Sequence, residues 1–221
     1  MKTLLNIVCS KQVKYSILFL LLLFLYITIS AFSYVNAVSS DLANSVFRLH
    51  VIANSDTKED QDLKYLVRDN VLSYMNEICK DAKSKQEAIN IATKHQDKFK
   101  EIALNTIYEN GFDYDVSIEI GNFSFPTKTY GDITLPSGYY DALRIKIGDA
   151  CGQNWWCVMF PPLCFVDVSS GIVPDESKEV MKNDLSDEEF SLISNEDSTE
   201  ISFKFKLIEF FQNAKIMTAK N

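Results

Sequence analysis

Histidine is almost missing from this 221-residue chain: His50 and His95 are the two it has. That scarcity removes most imidazole-based chemistry, because a triad or a zinc site needs His beside a nucleophile or repeated at fixed spacing. No Gly-x-Ser-x-Gly elbow, Walker loop, dinucleotide fingerprint, EF-hand or His-Glu-x-x-His pair occurs either. No cofactor and no metal is expected. Basic residues are in deficit as well, 22 against 30 acidic. All three charges before Ala37 are lysines, so the remainder holds 19 basic and 30 acidic side chains, a net −11. An acidic body lacks the basic footprint that phosphates demand, which argues against nucleic acid as a partner.

What is present begins at the N-terminus. Lys2, Lys11 and Lys14 flank an almost wholly apolar run over residues 15–29, and small residues follow. Val35-Asn36-Ala37 has the shape of a signal cleavage site, with the cut between Ala37 and Val38. Extended to Phe32, the run approaches the ~20 apolar residues of a spanning helix. Residues 1–37 are therefore read as a secretory signal, with an uncleaved membrane anchor as the rival. Either way the lysines stay cytoplasmic and everything after Ala37 is exported.

Export changes how the cysteines read. Cys79, Cys151, Cys157 and Cys164 remain beyond the apolar run, an even number in a disulfide-permissive place. Three complete pairings are open. Cys157 with Cys164 is the best pair, because Pro161-Pro162 can fold the chain back between them, and closing so short a loop contributes roughly 2–3 kcal/mol. A metal clip ranks below it, since the separation is wide and no His lies near.

The exported chain alternates strand and helix signals. Residues 46–53 form a first strand, with Phe47, Leu49 and Val51 on one face. Asp56 is placed to cap a helix over 57–79, with Glu59 three residues on. Ser84 with Glu87 opens a second helix that runs to Asn110-Gly111. Tyr114, Val116, Ile118 and Ile120 alternate with polar residues as a half-buried strand. Phe123 and Phe125 extend it, and Leu143, Ile145 and Ile147 mark the next. Uninterrupted apolar Val158-Met159-Phe160 reads as a strand buried on both faces, ended by the two prolines. The expectation is an α+β fold over 38–170: a mainly antiparallel sheet packed on two antiparallel helices. Residues 171–200 read as an acidic, partly disordered linker, and 201–221 as an amphipathic C-terminal helix.

Catalytic sets are hard to assemble. His95 falls on the apolar stripe of the second helix. His50 stands near Ser55 and Asp56, so an exported cell-envelope hydrolase using that region is one alternative, although capping already accounts for Ser55 and Asp56. A passive structural factor outside the cytoplasm is another. Binding is the leading class, and its candidate contacts are the Asn54-Ser55-Asp56 corner, Tyr130, Tyr139, Tyr140 and Trp155, since Tyr and Trp commonly anchor interfaces.

Three strings carry a resemblance. Phe47 to Asp56 reads Phe-Arg-Leu-His-Val-Ile-Ala-Asn-Ser-Asp, followed by Lys58-Glu59-Asp60-Gln61 and Val67-Arg68-Asp69. Tyr130 to Gly148 reads Tyr-Gly-Asp-Ile-Thr-Leu-Pro-Ser-Gly-Tyr-Tyr-Asp-Ala-Leu-Arg-Ile-Lys-Ile-Gly. Asn154 to Phe165 reads Asn-Trp-Trp-Cys-Val-Met-Phe-Pro-Pro-Leu-Cys-Phe. In this order they resemble the stage II sporulation protein R family; Cys79 and Cys151 fall outside its pattern. The resemblance implies a signal made in the forespore of an endospore-forming bacterium and exported into the space between forespore and mother cell. There it would activate a membrane-embedded aspartic protease of the mother cell, which processes the pro-sigma-E factor. The peptidase site would belong to that partner, and this chain would not be an enzyme.

Overall fold

A computed structural model describes residues 11–163, 173–194, 206 and 208–212. Two compact units divide the chain between Val38 and Ser39. Helix α1 (Lys11–Ser45) runs through that division, and its apolar side chains from Tyr15 to Phe32 are mostly exposed. It is long and apolar enough to cross a membrane.

The second unit is built on one four-stranded sheet in the order β2-β5-β1-β6. Its strands are β1 (Phe47–Ile52), β2 (Val116–Phe125), β5 (Gly138–Ile147) and β6 (Asn154–Phe160). Two pairings are antiparallel, β2 with β5 and β1 with β6. The central one is parallel, aligning Leu49 with Leu143 and Val51 with Ile145, so the sheet is mixed. A parallel pair needs a long crossover. Three helices supply it: α2 (Lys58–Ile78), α3 (Lys85–Lys94) and α4 (Gln96–Glu109). Lys128–Tyr130 (β3) and Ile133–Leu135 (β4) form a separate hairpin.

Period-two geometry sorts β1 onto two faces. Phe47, Leu49 and Val51 join Leu143, Ile145 and Cys157 on the side covered by Leu63, Val67 and Met75 of α2 and Phe99, Ala103 and Ile107 of α4. Arg48 and His50 point to the other side and are buried there as well. Both faces of β1 are therefore covered, and Phe47 to Val51 are all buried although Arg48 and His50 are polar. At the end of β6, Val158, Met159 and Phe160 are all buried, and a turn through Pro161 and Pro162 returns the Leu163 N–H to the Val158 carbonyl at 3.2 Å.

Several expectations need correction. Asp56 does not cap α2: Thr57 does, its hydroxyl accepting the Asp60 N–H at 3.3 Å, while Asp56 accepts the Gln153 N–H at 2.7 Å. The second helix is two. His95 ends α3 and begins α4, held by a 2.5 Å hydrogen bond between its Nδ1 and the Tyr74 hydroxyl. Residues 171–200, expected to be a partly disordered linker, carry α5 (Asp175–Asp184) and α6 (Asp187–Ile193). The scattered apolar residues of that stretch are what fold it, with Met181, Leu185, Leu192 and Ile193 buried. Ser186 and Glu189 close a reciprocal capping box at the start of α6. Most of 201–221 lies outside the described residues; 208–212 are helical, with Ile208 buried and Phe210 exposed.

Candidate functional site

Three clusters contain the residues singled out from the sequence. The Asn54-Ser55-Asp56 corner follows β1 and faces the loop between β5 and β6. Asn54 uses its whole amide: Oδ1 accepts the Asp149 N–H at 2.9 Å and Nδ2 donates to Asp60 at 2.9 Å. Ser55 donates to the same Asp60 carboxylate at 2.5 Å. Backbone bonds from Cys151 to the Asn54 carbonyl and from Gly152 to the Ala53 carbonyl complete the knot. The fit is tight: a Cβ on Gly152 would stand 2.1 Å from the Ser55 carbonyl oxygen, and one on Gly148, at φ +54°, would meet Asn54 Oδ1 at 2.2 Å. The corner's polar groups are thus turned inward to hold the loop.

A second cluster lies on the sheet face away from α2 and α4. Arg48 is fully buried, with its guanidinium over the rings of Phe125 at 4.1 Å and Tyr140 at 4.6 Å. Its Nη2 donates to the Tyr130 hydroxyl at 2.7 Å, and that hydroxyl donates to the Trp156 carbonyl at 3.2 Å. Nε and Nη1 have no partner, and among the described residues no carboxylate reaches Arg48. Aromatic faces replace the missing anion, since a desolvated cation over a ring is favourable by ~2 kcal/mol.

Beside Arg48, His50 stacks on Trp156 with centroids 3.7 Å apart and joins Asn154 Oδ1 through Nε2 at 2.6 Å. Burial lowers its pKa to about 4; the Asn154 bond opposes this in part, and the charges of Arg144 and Lys146 add to it. Those two cations pair with Glu119, whose own pKa they hold down at about 2. The β3–β4 hairpin is fastened by Asp132, which pairs with Lys178 of α5 at 2.6 Å and accepts the Val173 N–H at 2.9 Å.

The third cluster is on the surface of α2 beside the start of β6. Arg68 lies over the rings of Trp155 at 4.3 Å and Tyr65 at 4.9 Å, and Lys64 lies 4.6 Å from the same Tyr65 ring. Tyr65 and Trp155 meet edge to face at 5.5 Å.

Of the residues proposed as contacts, Trp155 is half-buried in this third cluster and Tyr139 is exposed. Tyr140 is not an exposed loop aromatic: it is buried, with its hydroxyl donating to the Pro136 carbonyl at 2.8 Å. Tyr130 is engaged with Arg48. The imagined triad is not assembled. His50 bonds to Asn154, Ser55 to Asp60 and Asp56 to the Gln153 backbone, with no hydrogen bond among the three. Arg48, Lys64, Tyr65 and Arg68 escaped the sequence reading. A charged residue inside an otherwise apolar central strand was the available signal for Arg48. For the other three, Trp155 had to be brought from about ninety residues away.

Cys157 is buried; Cys164, its expected partner, lies outside the described residues. Cys79 and Cys151 carry free thiols.

The model of the family described as stage II sporulation protein R matches residues 43–170. A curated relative, stage II sporulation protein R of Bacillus subtilis (strain 168), is 39% identical over 143 residues, covering 64% of this chain and 64% of the relative. The match thus spans less than two thirds of that relative's length. No solved structure matches. The matched span takes in all four strands of the sheet, the 54–56 corner and both aromatic clusters, and it covers more than half of the chain, so the chain belongs to the stage II sporulation protein R family.

Proposed function

We propose that this chain is an exported sporulation signal that activates a membrane-embedded aspartic protease of the mother cell and so triggers processing of the pro-sigma-E factor. Family membership over residues 43–170 is the observation that carries this reading. Helix α1 supports it by supplying a segment apolar enough for export or anchoring, with the cut between Ala37 and Val38 if it is removed. The described domain offers packed aromatic and cationic clusters in place of a hydrogen-bonded triad, which suits a ligand. A Cys157–Cys164 disulfide would pin the turn at the end of β6 in the oxidising space between the two cells. Activation then follows from differential affinity, the ligand binding the active arrangement of its receptor more tightly than the inactive one.

The test is co-expression with the candidate protease and its pro-sigma substrate in a non-sporulating host. Processing should appear with an export-competent leader and vanish when the leader is removed. Processing that persists with the chain confined to the cytoplasm would refute the reading. A His50→Ala chain that is exported and still binds the protease, yet supports no processing, would favour the hydrolase alternative instead.

A further inference from the structure

The cluster on α2 has a charge imbalance that its surroundings do not resolve. Lys64 is 1% exposed, yet its ammonium donates only to Gln61 Oε1 at 2.5 Å and the Gln153 carbonyl at 3.1 Å, both neutral. Arg68 has one carboxylate, its neighbour Asp69, which takes Nε at 2.7 Å. Asp56 is the other acid that acts on this group, and its contribution favours the charged Lys64. Its Oδ1 is already taken by the Gln153 N–H. The Trp155 indole N–H is buried with no acceptor among the described residues. Two cations therefore share one aromatic ring in a chain whose exported part is strongly acidic, beside an unmet N–H donor. An arginine stacked on a tryptophan keeps its fork of donors pre-organised, the geometry that matches a carboxylate bidentately.

We propose that Lys64, Tyr65, Arg68 and Trp155 form the docking point for an acidic segment of the protein partner, with a partner carboxylate received by the Arg68 fork. Charge complementarity selects this occupant: among the described residues Lys64 pairs with no carboxylate and Arg68 with one, in a chain whose part beyond Ala37 carries a net −11. Lys64 lends its field from behind. Tyr65 and Trp155 exclude water around the pair, which strengthens it. This site rests on the receptor-binding reading above for its biological partner, whereas its ligand chemistry stands alone.

The experiment uses the full chain in phosphatidylcholine nanodiscs, titrated with a capped hexaglutamate peptide and with hexaglutamine as control. The readout is the two indole N–H resonances, Trp155 against its neighbour Trp156, whose side chain stacks on His50 on the opposite face of β6. Hexaglutamate should shift the Trp155 signal saturably and leave Trp156 in place, and hexaglutamine should do neither. Arg68→Gln should weaken the response at least tenfold, and Arg68→Lys, which keeps the charge but loses the fork, should fall between. An unmoved Trp156 resonance shows that each variant is folded.

Equal responses to the two peptides, or an Arg68→Gln chain that binds like the parent, would overturn the proposal. A Trp155 shift produced by phosphatidylglycerol nanodiscs, with hexaglutamate silent, would also overturn it by assigning the cluster to lipid phosphate. In the co-expression assay, a parent chain that drives processing beside an equally active Arg68→Gln chain would sink this site alone. A parent chain that drives none would sink the receptor reading, leaving the peptide titration to decide the docking chemistry.

Discussion

His50 should make the domain built on the four-stranded sheet lose stability in mildly acidic solution. An unfolded imidazole takes its proton near 6.5, whereas in the fold the proton is refused until about 4. The unfolded state therefore binds more protons throughout that window, and stability falls as pH drops through it. The contribution is complete above 6.5, drains between 6.5 and 4, and levels off below. A shift of that size corresponds to about 3 kcal/mol in full, of which about 2 kcal/mol is lost between pH 7.5 and pH 5.0.

The assay is urea unfolding of residues 39–221 at those two pH values, followed by tryptophan fluorescence, for the parent and for His50→Gln. With a slope of about 2 kcal/mol per molar urea, the parent midpoint should fall by about 1 M more than that of the variant. Carboxylates held low in the fold, such as Glu119, act below this window and affect both proteins alike. If His50→Gln loses as much stability as the parent between the two pH values, the burial argument for His50 is wrong.

Two further outcomes follow from the same packing. Tyr130→Phe removes the one hydrogen-bond partner that the Arg48 guanidinium has among the described residues and should cost about 1–3 kcal/mol, because it leaves a buried guanidinium without that acceptor; a midpoint unchanged in the same denaturation would show that the rings alone satisfy the cation. Iodoacetamide applied to the native, non-reduced chain should label Cys151 rapidly and Cys79 slowly, since burial pushes the Cys79 thiol up to about 11 and Cys151 is exposed. Mass mapping that finds the two modified at equal rates would contradict that assignment.

Much of the fold was legible because period and punctuation agree with it. The alternation of Val116, Ile118 and Ile120 gave β2, and the continuous apolar run at 158–160 gave a strand buried on both sides. The parallel pairing of β1 with β5 was not legible, since both strands would look the same in an antiparallel register. Asp56 misled because an acid one residue before a threonine fits the cap equally well. Its actual partner, the Gln153 backbone, is close only after folding. The 54–56 corner looked like a recognition loop for the same reason: its polar residues are conspicuous, but their partners at 149–153 are remote in sequence. Conversely, the acidic stretch before Glu200 hid two helices, because its buried apolar residues, Val173, Met181, Leu185, Leu192 and Ile193, are diluted by exposed acids around them.

If the chain is exported as proposed, N-terminus first, the position of β1 has a kinetic meaning. The earliest strand to emerge is the middle of the sheet, and its neighbours β5 and β6 arrive only about ninety residues later. Until then β1 has nothing to pair with on either edge, and the loop that must close is long. On that route the domain would stay threadable until β5 and β6 have passed, and would lock only on the far side.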